Sequence, residues 1–140
     1  MTTAPNTKLE LDFLSTFVLR PKRARYSGLV VSPCLRQQFL AALPSFSDFD
    51  PRFKIRLSRS EDSSRAYVKE LHRRGADLNG YLISPRDDLD GLTLSLDDAV
   101  NQVHGRCDGT LIVCTPTLAY YEGAARYRFV LDTQPLGGAR

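Results

Sequence analysis

The chain of 140 residues lacks any apolar run near the roughly 20 residues that a membrane-spanning helix needs. Its opening stretch, M-T-T-A-P-N-T-K-L-E-L-D, has neither the basic segment nor the apolar segment of a secretory signal. The hydrophobic content of 42% and the charged content of 25% are ordinary for a globular protein, and the length fits one compact domain. We therefore expect a cytoplasmic, single-domain protein.

Cysteine is scarce, and its spacing does not suggest a disulfide framework. The chain has three cysteines, Cys34, Cys107 and Cys114. A secreted disulfide scaffold of this size would show an even and denser set, so reduced thiols are the simpler interpretation. Cys114 ends the apolar run T-L-I-V-C, where cysteine usually acts as a small buried hydrophobe.

The sequence also lacks the common motifs of nucleotide binding and nucleophilic catalysis. It contains no G-x-x-x-x-G-K-[ST], G-x-G-x-x-G or G-x-S-x-G pattern, so we predict no cofactor and favour a protein that is not an enzyme. One alternative is a small enzyme with a site near Tyr120, Tyr121 and Glu122. Glu122 precedes Gly123 at a predicted hairpin, so a turn residue at a sheet edge is the simpler interpretation.

An acidic stretch over residues 86–97, R-D-D-L-D-G-L-T-L-S-L-D, resembles a calcium loop at first sight. Aligning Gly91 with the glycine of an EF-hand loop places Arg86 at the first ligand position, where a carboxylate belongs. The preceding segment, G-Y-L-I-S, also predicts a strand where an EF-hand has a helix. We therefore predict an acidic turn and no metal site, and weak divalent-cation binding stays open.

The histidines and cysteines of the sequence raise the possibility of a zinc site. His104 and Cys107 have H-x-x-C spacing, and Cys114 and His72 would have to complete four ligands. Structural zinc sites usually bring paired ligands at C-x₂₋₄-C spacing, and only one such pair is present. We predict that both histidines lie near helix C-termini, where a cation is favoured.

Apolar periodicity, caps and turn residues predict the secondary structure. Helices are predicted over residues 8–19, 33–43, 63–74 and 96–104, and strands over 53–57, 80–84, 110–114, 118–121 and 126–131. The order of these elements favours an α+β fold with a mainly antiparallel sheet of four to five strands, ending in a C-terminal β-meander. Three to four helices should pack on one face. We expect a single domain over 8–132 between flexible tails, 1–7 and 133–140.

Charge is unevenly distributed along the chain. Residues 1–75 hold 14 Lys and Arg against 7 Asp and Glu, whereas residues 76–140 hold 5 against 9. Such asymmetry is typical of a surface for an anionic partner, or of two faces that aid solubility. The acidic 87–98 segment is a second candidate surface, for a basic partner.

Two basic stretches, R-P-K-R-A-R-Y and R-F-K-I-R, are the best functional indication in the sequence. We predict that a partner binds at Arg20, Lys22, Arg23, Arg25, Arg52, Lys54 and Arg56. Arginines beside aromatic residues suit nucleic acid, but Phe53 should be buried, and the pI of about 8.9 is modest for a nucleic-acid binder.

We therefore predict a small non-catalytic binding domain that acts through protein–protein contacts. Its size and charge contrast are typical of bacterial regulators, adaptors and immunity-like proteins, which is a comparison of class only. Nucleic-acid binding through the basic half is the alternative. The sequence leaves open whether the chain forms a homo-oligomer.

Overall fold

A computed structural model describes residues 5–134 of the chain. The helices are α1 (Thr7–Phe17), α2 (Arg23–Val31), α3 (Arg36–Ala42), α4 (Ser64–Arg73) and α5 (Leu96–Val103). The strands are β1 (Lys54–Ile55), β2 (Asn79–Ile83), β3 (Thr93–Ser95), β4 (Thr110–Thr115), β5 (Leu118–Glu122) and β6 (Arg128–Asp132). Short 3₁₀ turns occupy Arg20–Lys22, Leu43–Ser45, Pro51–Phe53, Arg59–Glu61 and Ala124–Arg126.

All six strands form one antiparallel sheet in the order β1-β6-β5-β4-β2-β3. Strands β4, β5 and β6 follow one another along the chain and lie side by side, which confirms the predicted C-terminal meander. The two edge strands, β1 and β3, are only two and three residues long. Short edges of this kind leave little backbone free to pair with another chain.

The sheet separates two hydrophobic cores. In β4, Leu111 and Val113 belong to the cluster that includes α1, α2 and α3, whereas Ile112 and Cys114 belong to the cluster that includes α4 and α5. Strands β5 and β6 alternate in the same way. Because successive side chains of a strand point to opposite faces, both faces of the central strands are buried.

The predicted α+β class is confirmed, with more elements than we expected. Residues 5–134 form six strands and five α-helices, against predictions of four to five strands and three to four helices. The helices cover both faces of the sheet, where we predicted one. The uninterrupted apolar run of β4, T-L-I-V-C, already indicates this arrangement, because a strand with one solvated face would alternate with polar residues.

Helix α2 lies where the sequence shows only a basic stretch followed by a short apolar step. Only Tyr26 and Val30 of this helix are buried, and no side chain caps its first turn. A stripe of two residues is too short to give a helical period.

The predicted helix 33–43 begins later, at Arg36, because the backbone first turns at Ser32, whose carbonyl accepts from Leu35 N at 3.0 Å and Arg36 N at 2.9 Å. The predicted strand 53–57 shortens to β1, because Asp50 starts a 3₁₀ turn by accepting from Arg52 N.

Helices α1, α4 and α5 begin at side-chain caps. Asn6 accepts from Leu9 N at 3.1 Å, Ser63 from Ala66 N at 3.1 Å, and Ser95 from Asp98 N at 3.2 Å. Each cap satisfies a backbone N–H that has no partner within the helix. The starts that the sequence predicts near residues 8, 63 and 96 are confirmed within one residue.

A buried ion-pair network joins helices α1 and α3 to the acidic turn. Arg36 Nη2 donates to Glu10 Oε2 at 2.8 Å and to Asp90 Oδ1 at 2.9 Å, and Arg36 Nε donates to Asp90 Oδ2 at 3.1 Å. Tyr81 donates to Glu10 at 2.6 Å, and Ser84 N donates to Asp90 at 3.0 Å. Asp90 therefore has a structural role in the turn, holding α3 and the β2–β3 connection together.

The rest of the acidic segment 86–97 forms a turn, strand β3 and the first residues of α5. Gly91 has a φ of +82°, which an L side chain rarely adopts, and Asp88 pairs with Arg86 at 2.8 Å. Within residues 5–134, no group of three His, Cys, Asp or Glu side chains converges to hold a metal ion.

The remaining findings concern membrane-spanning helices and the two ends of the chain. No helix among residues 5–134 has the length and apolar character needed to cross a membrane. Asn6 already caps α1, and its N–H donates to the Tyr81 hydroxyl at 2.8 Å. The predicted tails fall mainly on residues 1–4 and 135–140, outside the described residues, so that prediction stays untested.

Candidate functional site

A pocket of about 530 Å³ lies between the segment after β1, helix α4 and the turn before β6. Its lining contains four arginines, and we name it the arginine pocket: Arg56, Leu57, Arg59, Asp62, Tyr67, Ala125, Arg126 and Arg128. Ligand pockets in proteins commonly have volumes of about 300–1,000 Å³. The pocket is therefore large enough for a small charged group and part of the molecule that carries it.

The floor of the pocket is a buried ion pair between neighbouring strands. The β5–β6 register places Glu122 opposite Arg128, and Arg128 Nε donates to Glu122 Oε1 at 3.0 Å. Glu122 is 0% exposed and also accepts from the Tyr120 hydroxyl at 2.8 Å and Cys107 N at 2.9 Å. Although burial lowers the pKa of the Arg128 guanidinium, its hydrogen bonds with Glu122 and Asp62 raise that pKa above the ordinary value.

Asp62 lies at the wall of the pocket between Arg128 and His104. It accepts from Arg128 Nη1 at 2.6 Å, and its other oxygen lies 3.2 Å from His104 Nε2. Burial raises the pKa of Asp62, but the hydrogen bonds from Arg128 and His104 outweigh it and hold that pKa below its usual value. Asp62 is therefore ionised at neutral pH and fixes the position of the Arg128 side chain.

Three further arginines surround the opening of the pocket. Arg56, Arg59 and Arg126 are exposed, and within residues 5–134 none of the three has a carboxylate partner. They come from three different parts of the chain: the residue after β1, the 3₁₀ turn Arg59–Glu61 and the turn before β6. Guanidinium groups held together without carboxylates repel one another, so the pocket favours an anion.

The turn that carries Arg126 has an unusual backbone. Ala125 and Arg126 have φ angles of +57° and +61°, in the left-handed region that costs L-residues roughly 1–3 kcal/mol each. The turn is closed by Tyr127 N donating to Ala124 O at 3.1 Å and by Gly123 N donating to Tyr127 O at 2.8 Å. Strained residues often occur at binding sites, and here the strain accompanies the placement of Arg126 at the pocket.

An exposed aromatic ring adjoins the pocket. Tyr127 is 37% exposed, and its ring centroid lies 5.5 Å from Lys54 Nζ and 5.5 Å from Arg56 Cζ. Lys54 Nζ also donates to the Tyr127 hydroxyl at 3.1 Å. Both cations lie close to the ring, because the face of an aromatic ring attracts positive charge.

The structure separates the seven predicted contact residues into two groups. Lys54 and Arg56 lie beside Tyr127, and Arg56 lines the arginine pocket. The other five lie elsewhere, near α2 and Asp50: Arg20, Lys22, Arg23, Arg25 and Arg52.

The second group is partly engaged within the protein. Arg52 Nη2 donates to Asp50 at 2.7 Å, and Arg23 Nε donates to Val18 O at 2.8 Å. The pKa of Asp50 is lowered first by its hydrogen bonds with Arg52 and, more weakly, by the charge of Arg23. The two basic stretches therefore meet at Asp50. Whether a partner binds at the seven residues stays a prediction.

The residues of the predicted enzyme alternative are inaccessible in this structure. Tyr120, Tyr121 and Glu122 are each 0% exposed. Glu122 lies within the sheet and not at an edge, because its strand, β5, pairs with β6 on one side and with β4 on the other. A substrate in the arginine pocket would meet Arg128 and Asp62 first.

Sequence reasoning missed Arg59, Asp62, Arg126 and Arg128. One signal was available: Glu122 and Arg128 stand near the ends of the hairpin that joins β5 to β6, and opposite charges at facing positions indicate a cross-strand pair. The approach of Arg59 and Asp62 to this hairpin depends on tertiary packing.

The tyrosines around the site predict loss of stability at high pH. Burial, followed by the nearby Glu122, raises the pKa of Tyr120, and burial, followed by Asp62, raises that of Tyr67. Burial likewise raises the pKa of Tyr26 and of Tyr121 to about 12. In each case the folded-state pKa exceeds the ordinary 10.0, so this stability is present below pH 10 and is lost as the pH rises above it.

We expect most of the tyrosinate absorbance to appear together with loss of the circular-dichroism signal, above pH 10. Ionisation of all six tyrosines while the circular dichroism is unchanged would contradict the burial described above.

Comparisons with protein-family models, curated protein sequences and solved structures give no match for this chain. The function must therefore be argued from the chemistry of the arginine pocket itself.

Proposed function

We propose that the protein is a small, non-catalytic, cytoplasmic binding domain that recognises an anionic group of a protein partner at the arginine pocket. The supporting observation is the set of three exposed guanidinium groups, on Arg56, Arg59 and Arg126, without a carboxylate partner within residues 5–134. A bound anion relieves their mutual repulsion and accepts charge-assisted hydrogen bonds, which are roughly twice as strong as neutral ones.

The titratable side chains of the pocket favour binding over catalysis. The pKa of Asp62 is lowered and the pKa of Tyr67 is raised, each away from neutral pH. A general acid or base is most effective when its pKa lies near the working pH. Asp62 and Tyr67 therefore suit a fixed charge and a neutral wall better than they suit proton transfer.

A protein partner fits the site better than a nucleic acid. Nucleic-acid surfaces combine an extended basic track with aromatic rings that are free to stack on bases. Here the unpaired arginines surround one concave pocket, and the net charge of the whole chain is only +3. Tyr127 is the one exposed aromatic side chain within residues 5–134, and two cations already flank its ring.

Two charge-matched double variants test this proposal. Arg59→Ser/Arg126→Ser removes two exposed charges from the pocket, and Arg20→Ser/Lys22→Ser removes two exposed charges from the first basic stretch. The probes are a labelled polyglutamate peptide and a labelled single-stranded oligonucleotide of equal charge, compared by fluorescence anisotropy at about 0.15 M salt, where the screening length is about 8 Å. We expect polyglutamate to bind the wild type, and the pocket variant to lose about tenfold in affinity, which is about 1.4 kcal/mol.

The matched variant supplies the control because its net charge equals that of the pocket variant. It should lose less than about twofold in affinity, since long-range attraction between exposed charges is screened by salt. Equal losses in the two variants would show that the pocket is not the contact site. Tighter binding of the oligonucleotide, with the larger loss in Arg20→Ser/Lys22→Ser, would support the nucleic-acid alternative instead.

A further inference from the structure

We infer that the anion recognised by the arginine pocket is a phosphomonoester dianion, carried by a phosphorylated side chain of the protein partner. The inference rests on the proposed function and narrows it from any anionic group to one chemical class. Three properties of the pocket carry it: its charge, the donors left on Arg128, and the directions from which the other arginines approach.

The charge of the pocket matches a dianion. Four guanidinium groups line it, and the carboxylates that compensate them are Asp62, in the wall, and Glu122, behind Arg128. The positive charges therefore exceed the negative ones by two. A phosphorylated side chain carries about −1.5 to −2 at pH 7, whereas a carboxylate or a phosphodiester carries about −1. Of these three groups, the phosphomonoester is the one whose charge matches the excess.

The floor of the pocket offers donors whose position is fixed. A guanidinium has five N–H groups. Arg128 uses Nε–H and one Nη2–H on Glu122, at 3.0 and 3.5 Å, and one Nη1–H on Asp62 at 2.6 Å. One N–H on each Nη therefore remains for a ligand. Because Arg128 is 5% exposed and held on two sides, little side-chain entropy is lost when it binds.

The remaining arginines approach the pocket from separate segments. Arg56 follows β1, Arg59 lies in the next 3₁₀ turn, and Arg126 is presented by the left-handed turn before β6. A planar carboxylate has two oxygens in one plane, and one guanidinium can engage both of them in a bidentate pair. A phosphomonoester has three terminal oxygens that point in different directions, so it can accept from several arginines at once. Arginines on three segments therefore suit the tetrahedral group.

The volume of the pocket also fits a phosphate that remains attached to its carrier. At about 530 Å³, the pocket lies within the range of sites that take a small molecule or a side chain with its neighbours. A phosphorylated side chain and a nucleoside monophosphate offer the same chemistry. The proposed protein partner favours the first, and the experiment compares both.

The test is a calorimetric titration with short blocked peptides, Gly-Gly-X-Gly-Gly, in which X is phosphoserine, glutamate or serine, and with adenosine monophosphate. We expect the phosphoserine peptide to bind at least about tenfold more tightly than the glutamate peptide, and the serine peptide not to bind. Arg59→Ser/Arg126→Ser should lose this binding. Arg65→Ser/Lys69→Ser, which has the same net charge and changes exposed residues outside the lining of the pocket, should keep it within about twofold.

Several results would overturn the inference. One is equal affinity for the phosphoserine and glutamate peptides, and another is phosphoserine binding that survives in Arg59→Ser/Arg126→Ser. Tighter binding of adenosine monophosphate than of the phosphoserine peptide would overturn the protein source of the phosphate. If polyglutamate binds at the pocket and phosphoserine does not, the proposed function stands and this inference fails. If neither binds there, the proposed function fails as well.

Discussion

Replacing Arg128 with methionine should lower the free energy of unfolding by about 3–5 kcal/mol, because the substitution leaves a buried carboxylate without its cation. Glu122 is fully buried, and its remaining donors are the Tyr120 hydroxyl and Cys107 N. Asp62 loses its hydrogen bond with Arg128 at the same time. Guanidinium chloride unfolding, followed by circular dichroism, measures the loss.

Two further variants separate the ion pair from simple loss of a long side chain. Arg126→Met removes an exposed arginine two residues away and should change stability by no more than about 0.5 kcal/mol. Adding Glu122→Leu to Arg128→Met removes the uncompensated charge, and we expect it to recover much of the loss, because buried pairs are often replaced by apolar residues at little cost. An Arg128→Met protein within about 1 kcal/mol of the wild type would contradict the network.

Arg36→Met should produce a loss of similar size, about 3–5 kcal/mol, in a different part of the fold. Arg36 is paired with both Glu10 and Asp90, and Glu10 is fully buried. Although burial lowers the pKa of Arg36, the hydrogen bonds with the two carboxylates raise it above the ordinary value. Removing the guanidinium leaves the carboxylate of Glu10 in the core, and that of Asp90 at the β2–β3 turn, without a cation.

Hydrogen exchange shows which part of the fold the Arg36→Met substitution destabilises. In Arg36→Met the amides of α1 and of the turn around Asp90 should lose protection first, since the guanidinium is what joins them. Gln37→Met, at an exposed neighbouring position on α3, is the matched control and should leave protection unchanged. Protection lost uniformly over the whole chain would contradict a local role for the Glu10–Arg36–Asp90 network.

The parts of the fold that could be predicted are those specified by local sequence. The serines at residues 63 and 95 cap α4 and α5 because a hydroxyl can satisfy a backbone N–H two or three residues ahead. The three C-terminal strands follow from apolar runs joined by short links, which leave little alternative to a meander. In these segments neighbouring residues contain all the information needed.

The parts that sequence reasoning missed depend on distant residues. Helix α2 is held by the burial of Tyr26 and Val30 against aromatic residues from other segments, among them Phe39 and Phe46. The arginine pocket requires three segments to meet, and nothing near Arg59 in the sequence indicates that Arg126 will be its neighbour. The basic stretches could be identified from the sequence, but the sequence does not show which of their side chains form ion pairs in the folded protein.

Both groups of helices pack on the same sheet, and this sheet also determines when the chain can fold during its synthesis. Helices α1, α2 and α3 are made first, yet the strands they cover end at Asp132. Glu10 in α1 accepts a hydrogen bond from the hydroxyl of Tyr81, which lies 71 residues later in the chain. At a translation rate of about 5–20 residues per second, on the order of ten seconds pass between the synthesis of α1 and that of β6. The nascent chain therefore exposes Phe13, Leu14 and Phe17 throughout that interval, and we expect it to be prone to aggregation until β6 is made.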